Sequence, residues 1–372
     1  MAVKRPCLAA AALVAALLLA PAGALAGAPP AAEETAPVPT LTLADVLALA
    51  EAHNPGVKLA EYQVASARNT WTTAPAQAAS LAPAAALYLQ MQYGITLPQN
   101  TIAPADATRQ AQINFEDAVV QYYRARQQVR LGALQAYVEW QKAIAMVAAQ
   151  EGALTRAETQ AAQVRTAFDA GAVAKFDLLQ AETQVAGQKA ALAGAKAMLS
   201  SVEAALEQVM GQPLPPGAQP AGTLPGSDEV TLDEDLGALT EKALRERPDL
   251  KQAKLQIASR RMFGANSGAA ILQLQAAATQ YEMSVLKAQT EVEQTLEACR
   301  GALAELKARE QALSPAREAL RLAELRYEAG LGTYLEVQSA FANALQADAA
   351  RIQAAANLAV QRAKLAQATG DL

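Results

Sequence analysis

Histidine and cysteine are almost missing from this chain: His53 is the one histidine, and Cys7 and Cys299 are the two cysteines, in 372 residues. A zinc site takes four ligands drawn largely from these types, and a Ser-His or Cys-His nucleophile needs a positioned pair, so neither is expected. No Gly-rich phosphate loop and no calcium-loop spacing occurs. The expectation is no catalytic residue, no metal ligand and no cofactor site; the chain does not read as an enzyme. Aromatics make up only 4%, and no basic stripe interleaves with them, which excludes nucleic acid as a partner. No apolar run reaches the roughly 20 residues of a membrane-spanning helix. A membrane crossing would therefore need a closed β-barrel.

What is present is Ala and Leu. Hydrophobic residues reach 52%, and Ala, Leu, Gln, Glu, Lys and Arg, the strongest helix formers, dominate the chain. This composition predicts a mainly α protein of long packed helices. Residues 1–26 have the anatomy of a secretory signal: Lys4 and Arg5, an apolar stretch from Leu8 to Leu19, and Ala24-Leu25-Ala26 as a small-residue cleavage site. Its removal changes the formal net charge from −5 to −7 and leaves Cys299 alone, so no intramolecular disulfide is expected. Cys7 lies upstream of the apolar stretch and cannot carry a lipid at the start of the mature chain.

A Pro/Ala lead-in over 27–40 precedes a first helical repeat over 41–210. A Pro/Gly linker over 211–229 separates it from a second repeat over 230–372. Two sets of anchors carry the repeat. Asn54-Pro55 with Val64 to Arg68 matches Arg247-Pro248 with Ile257 to Arg261 at an offset of 193. Phe168-Asp169-Ala170-Gly171 with Asp177 and Ala181 matches Tyr327-Glu328-Ala329-Gly330 with Glu336 and Ala340 at an offset of 159. The first repeat thus holds 34 more residues between its anchors, an insert near 71–105. Each unit then reads as a long helix, a Gly break and a second helix. The seam Val292, Leu296, Cys299, Leu303, Leu306, Glu310, Leu313, Arg317, Leu320, Glu324, Tyr327 steps by four and three, which predicts coiled-coil packing. Its charged members are expected to face water or a neighbouring subunit. So long a hairpin buries little by itself, and oligomerisation follows.

Inside the insert, Leu87, Leu89, Met91, Tyr93, Ile95 and Leu97 alternate with Tyr88, Gln90, Gln92, Gly94 and Thr96. Strict alternation predicts one short β segment near 87–97. That is about the length of a transmembrane strand. Repeat two offers only a turn over Phe263 to Gly268 and a stub at Ile271-Leu272-Gln273-Leu274.

The duplicated pattern of an aromatic, any residue, Ala and Gly, then an acid six places after the Gly and an Ala ten places after, resembles the TolC-type outer-membrane efflux channel family. Each copy closes on Met210-Gly211 or Thr369-Gly370, and the likeness covers nearly all of the mature chain. The resemblance implies a homotrimer in the cell envelope, with a periplasmic helical cylinder continuous with an outer-membrane β-barrel. It implies hairpin tips at Gly171 and at Gly330, Leu331 and Thr333 that dock a periplasmic adaptor, served by an inner-membrane pump. Asp177 and Glu336 fall on the family's aperture carboxylates. A second acidic position is Ser339 here, and the basic partner two places after the Gly is Gly332, with Lys175 as the candidate substitute. The family places two strands in each repeat, four per chain; this sequence offers one and a stub.

Simpler roles stand beside these. Asp177 and Glu336 are acids near helix starts, where the helix dipole favours them. Gly171 and Gly330 are turn residues, Cys299 a small core residue, His53 an exposed neighbour of a cap, and Trp71 and Trp140 packing aromatics. The functional expectation is a passive export conduit of a tripartite system. The alternative is a periplasmic coiled-coil structural protein that no longer spans the membrane. An adaptor is not expected, because adaptors flank one hairpin with sheet-rich domains, whereas this chain reads as two hairpins with almost no sheet.

Overall fold

The computed structural model describes residues 39–93, 104–232, 235–263 and 268–371. Among them are eight α-helices: α1 Leu43–His53, α2 Pro55–Tyr93, α3 Pro104–Asp169, α4 Lys175–Met210, α5 Leu236–Glu246, α6 Pro248–Phe263, α7 Gly268–Glu328 and α8 Tyr334–Thr369. Their bounds repeat. Leu43 and Leu236, His53 and Glu246, and Pro55 and Pro248 are each 193 positions apart, while α4 and α8, both 36 residues, are 159 apart. The mainly α architecture of two tandem hairpin units is therefore present.

Local chemistry sets the boundaries. Thr42 and Asp45 form a reciprocal cap at the start of α1: Thr42 Oγ1 accepts the Asp45 N–H at 3.1 Å and Asp45 Oδ2 accepts the Thr42 N–H at 2.9 Å. α1 and α5 both stop because proline follows. Its ring pushes the preceding residue out of the helical region, and Asn54 (φ −64°, ψ 125°) and Arg247 (φ −59°, ψ 128°) are both extended. Pro55 and Pro248 then open the next helix, where the missing N–H costs nothing.

The strand expected near 87–97 is corrected. Leu87 to Tyr93 continue α2, and residues 94–97 lie outside the described residues. The stub at Ile271 to Leu274 is likewise helical, inside α7. Leu, Gln and Met are good helix formers. They follow Ala84-Ala85-Ala86, and a short alternating run without a partner strand has no ladder to join. The strands that do occur lie elsewhere: β1 Thr40–Leu41 pairs in parallel with β2 Gln219–Pro220. The first spans the end of the lead-in and the start of repeat one, the second lies in the Pro/Gly linker. Gln219 N–H donates to Pro39 O at 3.0 Å and Ala221 N–H to Leu41 O at 2.7 Å. The Tyr137 hydroxyl clamps both, its one O–H shared between Ala221 O at 2.9 Å and Leu41 O at 3.2 Å.

The core repeats with the chain. One buried cluster joins Val46, Ala50, Ala133, Tyr137, Trp140 and Leu206; the other joins Leu239, Ala243, Val292, Leu296, Cys299 and Leu365. These are the same six positions of the unit. Cys299 and Trp140 are both fully buried, so thiol and indole fill equivalent sites, as packing residues. Trp71 stacks on Phe115 at 5.4 Å. The α7 seam is buried at Val292, Leu296, Cys299, Leu306, Leu313 and Leu320. Its charged members find partners inside the chain rather than facing only water or a neighbour. Glu310 accepts the Ser227 N–H at 3.2 Å, and Arg317 pairs with Asp348 at 3.3 Å.

Candidate functional site: the paired hairpin tips

α3 and α7 end in the same way. The N–H of Gly171 bonds to Phe168 O at 2.9 Å and that of Ala172 to Ala167 O at 2.8 Å; Gly330 bonds to Tyr327 O at 2.9 Å and Leu331 to Arg326 O at 2.8 Å. This crossed pair of bonds is the Schellman ending, which puts its glycine in the left-handed region; φ is 73° at Gly171 and 72° at Gly330.

The return helices differ. Thr333 caps α8, its Oγ1 accepting the Glu336 N–H at 3.3 Å. Ala174 stands at the equivalent place before α4 and offers no side-chain cap. Asp177 and Glu336 both occupy the third helical position, where free N–H groups and the helix dipole favour a carboxylate. Glu336 lies 3.9 Å from Arg326. Gly332 makes this possible: a Cβ there would come within 3.2 Å of Glu336 Oε2 and 3.3 Å of Arg326 Cβ. The basic partner of Glu336 is thus Arg326, before the turn. Lys175, the candidate substitute, is exposed and makes no ion pair among the described residues.

The tips pack side by side within one chain. Tyr327 and Tyr334 meet edge to face at 5.7 Å. They lie in a cluster with Val164 and Ala181 of the first hairpin. Burial, and next the Asp177 charge, push the Tyr327 phenol above its ordinary value. Tyr334 rises through burial, then through Tyr327 and Asp177. The Asp177 charge thus acts on the aromatic pair of the second tip, while Glu336 lies beside Arg326. Gln338 Nε2 donates to Gln184 Oε1 at 3.2 Å across the two hairpins. Burial raises the Glu324 carboxyl, and Arg156 opposes it.

Apolar side chains are left outside this cluster. Leu331 is 74% exposed, Phe176 66% and Leu335 64%, and Phe176 and Leu335 are repeat equivalents. Two features escaped sequence reasoning. Arg326 could have been found as the basic residue four before the Gly. Arg247 is 9% exposed, held by Asp249 and Glu291, each at 2.8 Å, and by Ala368 O at 3.3 Å; its place in an Arg-Pro-Asp junction gave no such signal. Among the described residues no group of three or more His, Cys, Asp or Glu could hold a metal.

The chain belongs to the outer membrane efflux protein family, which it matches over residues 46–212 and 260–371. That membership assigns it to the cell envelope and to an efflux-channel role, and its family and fold are those of channels rather than enzymes. Solved structures share the fold. The outer membrane protein VceC of Vibrio cholerae is 17% identical, with 88% of this chain covering 96% of that one at a TM-score of 0.64. The CmeC outer membrane channel of Campylobacter jejuni is 14% identical, 88% against 85%, at 0.67. The open state of the MtrE outer membrane channel of Neisseria gonorrhoeae is 17% identical, 88% against 88%, at 0.66. No curated protein matches the chain by sequence.

Proposed function

We propose that this protein is the passive conduit of a tripartite exporter, a homotrimer whose hairpin tips dock a periplasmic adaptor while an inner-membrane pump drives transport. The reading rests on the tips: Phe176, Leu331 and Leu335 stand exposed beside Asp177 and Glu336, at the end of a hairpin pair whose own core uses none of them. Exposed apolar clusters rimmed by polar groups mark interaction surfaces. Packing supports a ring. α3 packs along α8, joining the two hairpins of a chain, whereas the repeat-equivalent pair α7 and α4 makes no comparable packing among the described residues. A second copy supplies the missing contact, and head-to-tail repetition of one contact closes a ring. Export through such a lumen needs no chemistry; Asp177 and Glu336 would tune ion passage electrostatically, as acidic rings do in cation channels.

Photo-cross-linking from Leu331 and Leu335 in the host envelope tests this. A periplasmic adaptor subunit is expected among the adducts from both positions. Tips that cross-link to no adaptor, in cells where adducts between copies of the chain form, would overturn the docking.

A further inference from the structure

The two halves of the chain are built alike but are not covered alike. An offset of 193 relates α2 to α6, and one of 159 relates α3 to α7. Side chains obey both offsets: Glu61 and Tyr122 line one groove between α2 and α3, and their equivalents Lys254 and Tyr281 meet as a cation over a ring at 5.7 Å. α3 has two neighbours from the other half, α8 and α6. α7, its equivalent, makes no comparable packing with α4 or α2 among the described residues. The contact of α6 with α3 is polar. Gln252 Nε2 donates to Asp117 Oδ1 at 2.9 Å, and the charges of Asp249 and Arg124 attract across the same contact. The row of α3 that runs through Asp117 and Arg124 in steps of three and four is Ile113, Asp117, Val120, Arg124 and Gln127. Each of these is half-buried or buried.

The equivalent row of α7 is Leu272, Ala276, Thr279, Met283 and Leu286, and every one of them is exposed. Leu272 stands 67% exposed, Leu286 63% and Met283 57%. None of the five is charged. On α2, Leu59 and Tyr62 take the places of Gln252 and Leu255. They are 59% and 72% exposed, whereas Gln252 and Leu255 are half-buried. Single exposed apolar side chains are ordinary on a protein surface. A row of them at heptad spacing, with an apolar mate at the matching place of the repeat, marks a contact surface.

We propose that α2 of one copy lies on α7 of the next in an apolar seam, Leu59 against Ala276, the counterpart of the polar seam that α6 makes on α3 inside the chain. The register is that of the Gln252–Asp117 contact, carried over by the two offsets. The occupant is a second copy because the row on α7 and the pair on α2 match each other through the repeat, and the single chain does not pack the two helices together. The change of chemistry has a physical reason. α6 and α3 belong to one chain, so their contact forms at the high effective concentration of a tether. A contact between copies must also offset the translational and rotational freedom lost on association, and permanent interfaces are the more apolar ones. The inference rests on the ring of copies proposed above; it adds which helices meet, in what register and through what chemistry.

Cross-linking of paired cysteines in the assembled full chain tests it. Cys299 is fully buried, which leaves the reagent to the introduced pairs. A bismethanethiosulfonate linker is chosen just long enough to join Gln252→Cys with Asp117→Cys inside one chain. The same linker should join Leu59→Cys with Ala276→Cys between copies, in a ladder that ends at three. Leu59→Glu with Met283→Glu should raise the protein concentration needed for assembly about tenfold or more, with the helical circular dichroism spectrum kept. Leu59→Met with Met283→Leu, still apolar, should leave assembly unchanged. Three-copy particles in which Leu59→Cys and Ala276→Cys fail to link would overturn the seam and spare the conduit. Assembly unmoved by the two glutamates would do the same. Single-copy particles of the wild-type chain would overturn both.

Discussion

Two pairs of left-handed glycines divide the molecule into a finished region and an unfinished one. Gly211 and Gly370 end α4 and α8 with φ of 72° and 85°, and both are wedged. A Cβ on Gly211 would lie 3.1 Å from His53 Cβ, and one on Gly370 3.0 Å from Glu246 Cβ. His53 and Glu246 are the equivalent last residues of α1 and α5, so the same wedge is built twice, beside the two buried clusters. Gly171 and Gly330 have the same φ at the tips, yet a Cβ on either meets nothing within 4 Å. The backbone demand is equal at both ends; only the surroundings differ. Where the chain supplies its own neighbours, the unit is closed and buried. Where it does not, apolar side chains stand exposed.

The contrast can be broken hardest at Trp140. Replacing this fully buried indole with alanine should cost about 3–5 kcal/mol, read as a drop in the urea midpoint. The glycine pairs come next. Gly370→Ala and Gly211→Ala should each cost about 2–3 kcal/mol, strain plus overlap, whereas Gly330→Ala and Gly171→Ala should cost about 1 kcal/mol from backbone strain alone. Equal losses at the two ends would show that the wedge contributes nothing.

Arg247→Ala should cost about 2 kcal/mol, because it strips two carboxylates and a carbonyl of a buried partner. The loss should depend on pH. Burial pushes the Asp249 carboxyl up, but the hydrogen bond and charge of Arg247 outweigh it and hold the group below its ordinary value. A depressed folded-state pKa adds stability that is full above the unfolded value and lost as pH falls through the folded one. The gap between wild type and variant should therefore be constant near neutrality and narrow below about pH 4. The smallest effect belongs to the tips: Leu331→Ser with Leu335→Ser should shift stability by no more than about 0.5 kcal/mol while abolishing adaptor cross-links.

Most of the helical frame was legible because its signals are local or duplicated. The Pro55 and Pro248 junctions, the Gly-terminated helices and the two offsets all reappear as helix bounds. The strand near 87–97 was not, since alternation over a few residues competes with the helix propensity of Leu, Gln and Met, and a strand needs a partner that the alternation does not identify. The pairing of Thr40–Leu41 with Gln219–Pro220 joins residues almost 180 positions apart through backbone bonds and the Tyr137 hydroxyl; no side-chain pattern announces it. At the tips, Asp177 and Glu336 were found by register, but their different surroundings depend on packing: the Tyr327–Tyr334 pair for one, Arg326 folded over Gly332 for the other.

The proposed conduit depends on further copies packing against the hairpin pair to form a ring. Native mass spectrometry of the mature protein, extracted from the host envelope in mild detergent, reads this directly. Three copies per particle are predicted. A particle of one copy, under conditions that keep the helices folded, would contradict the conduit.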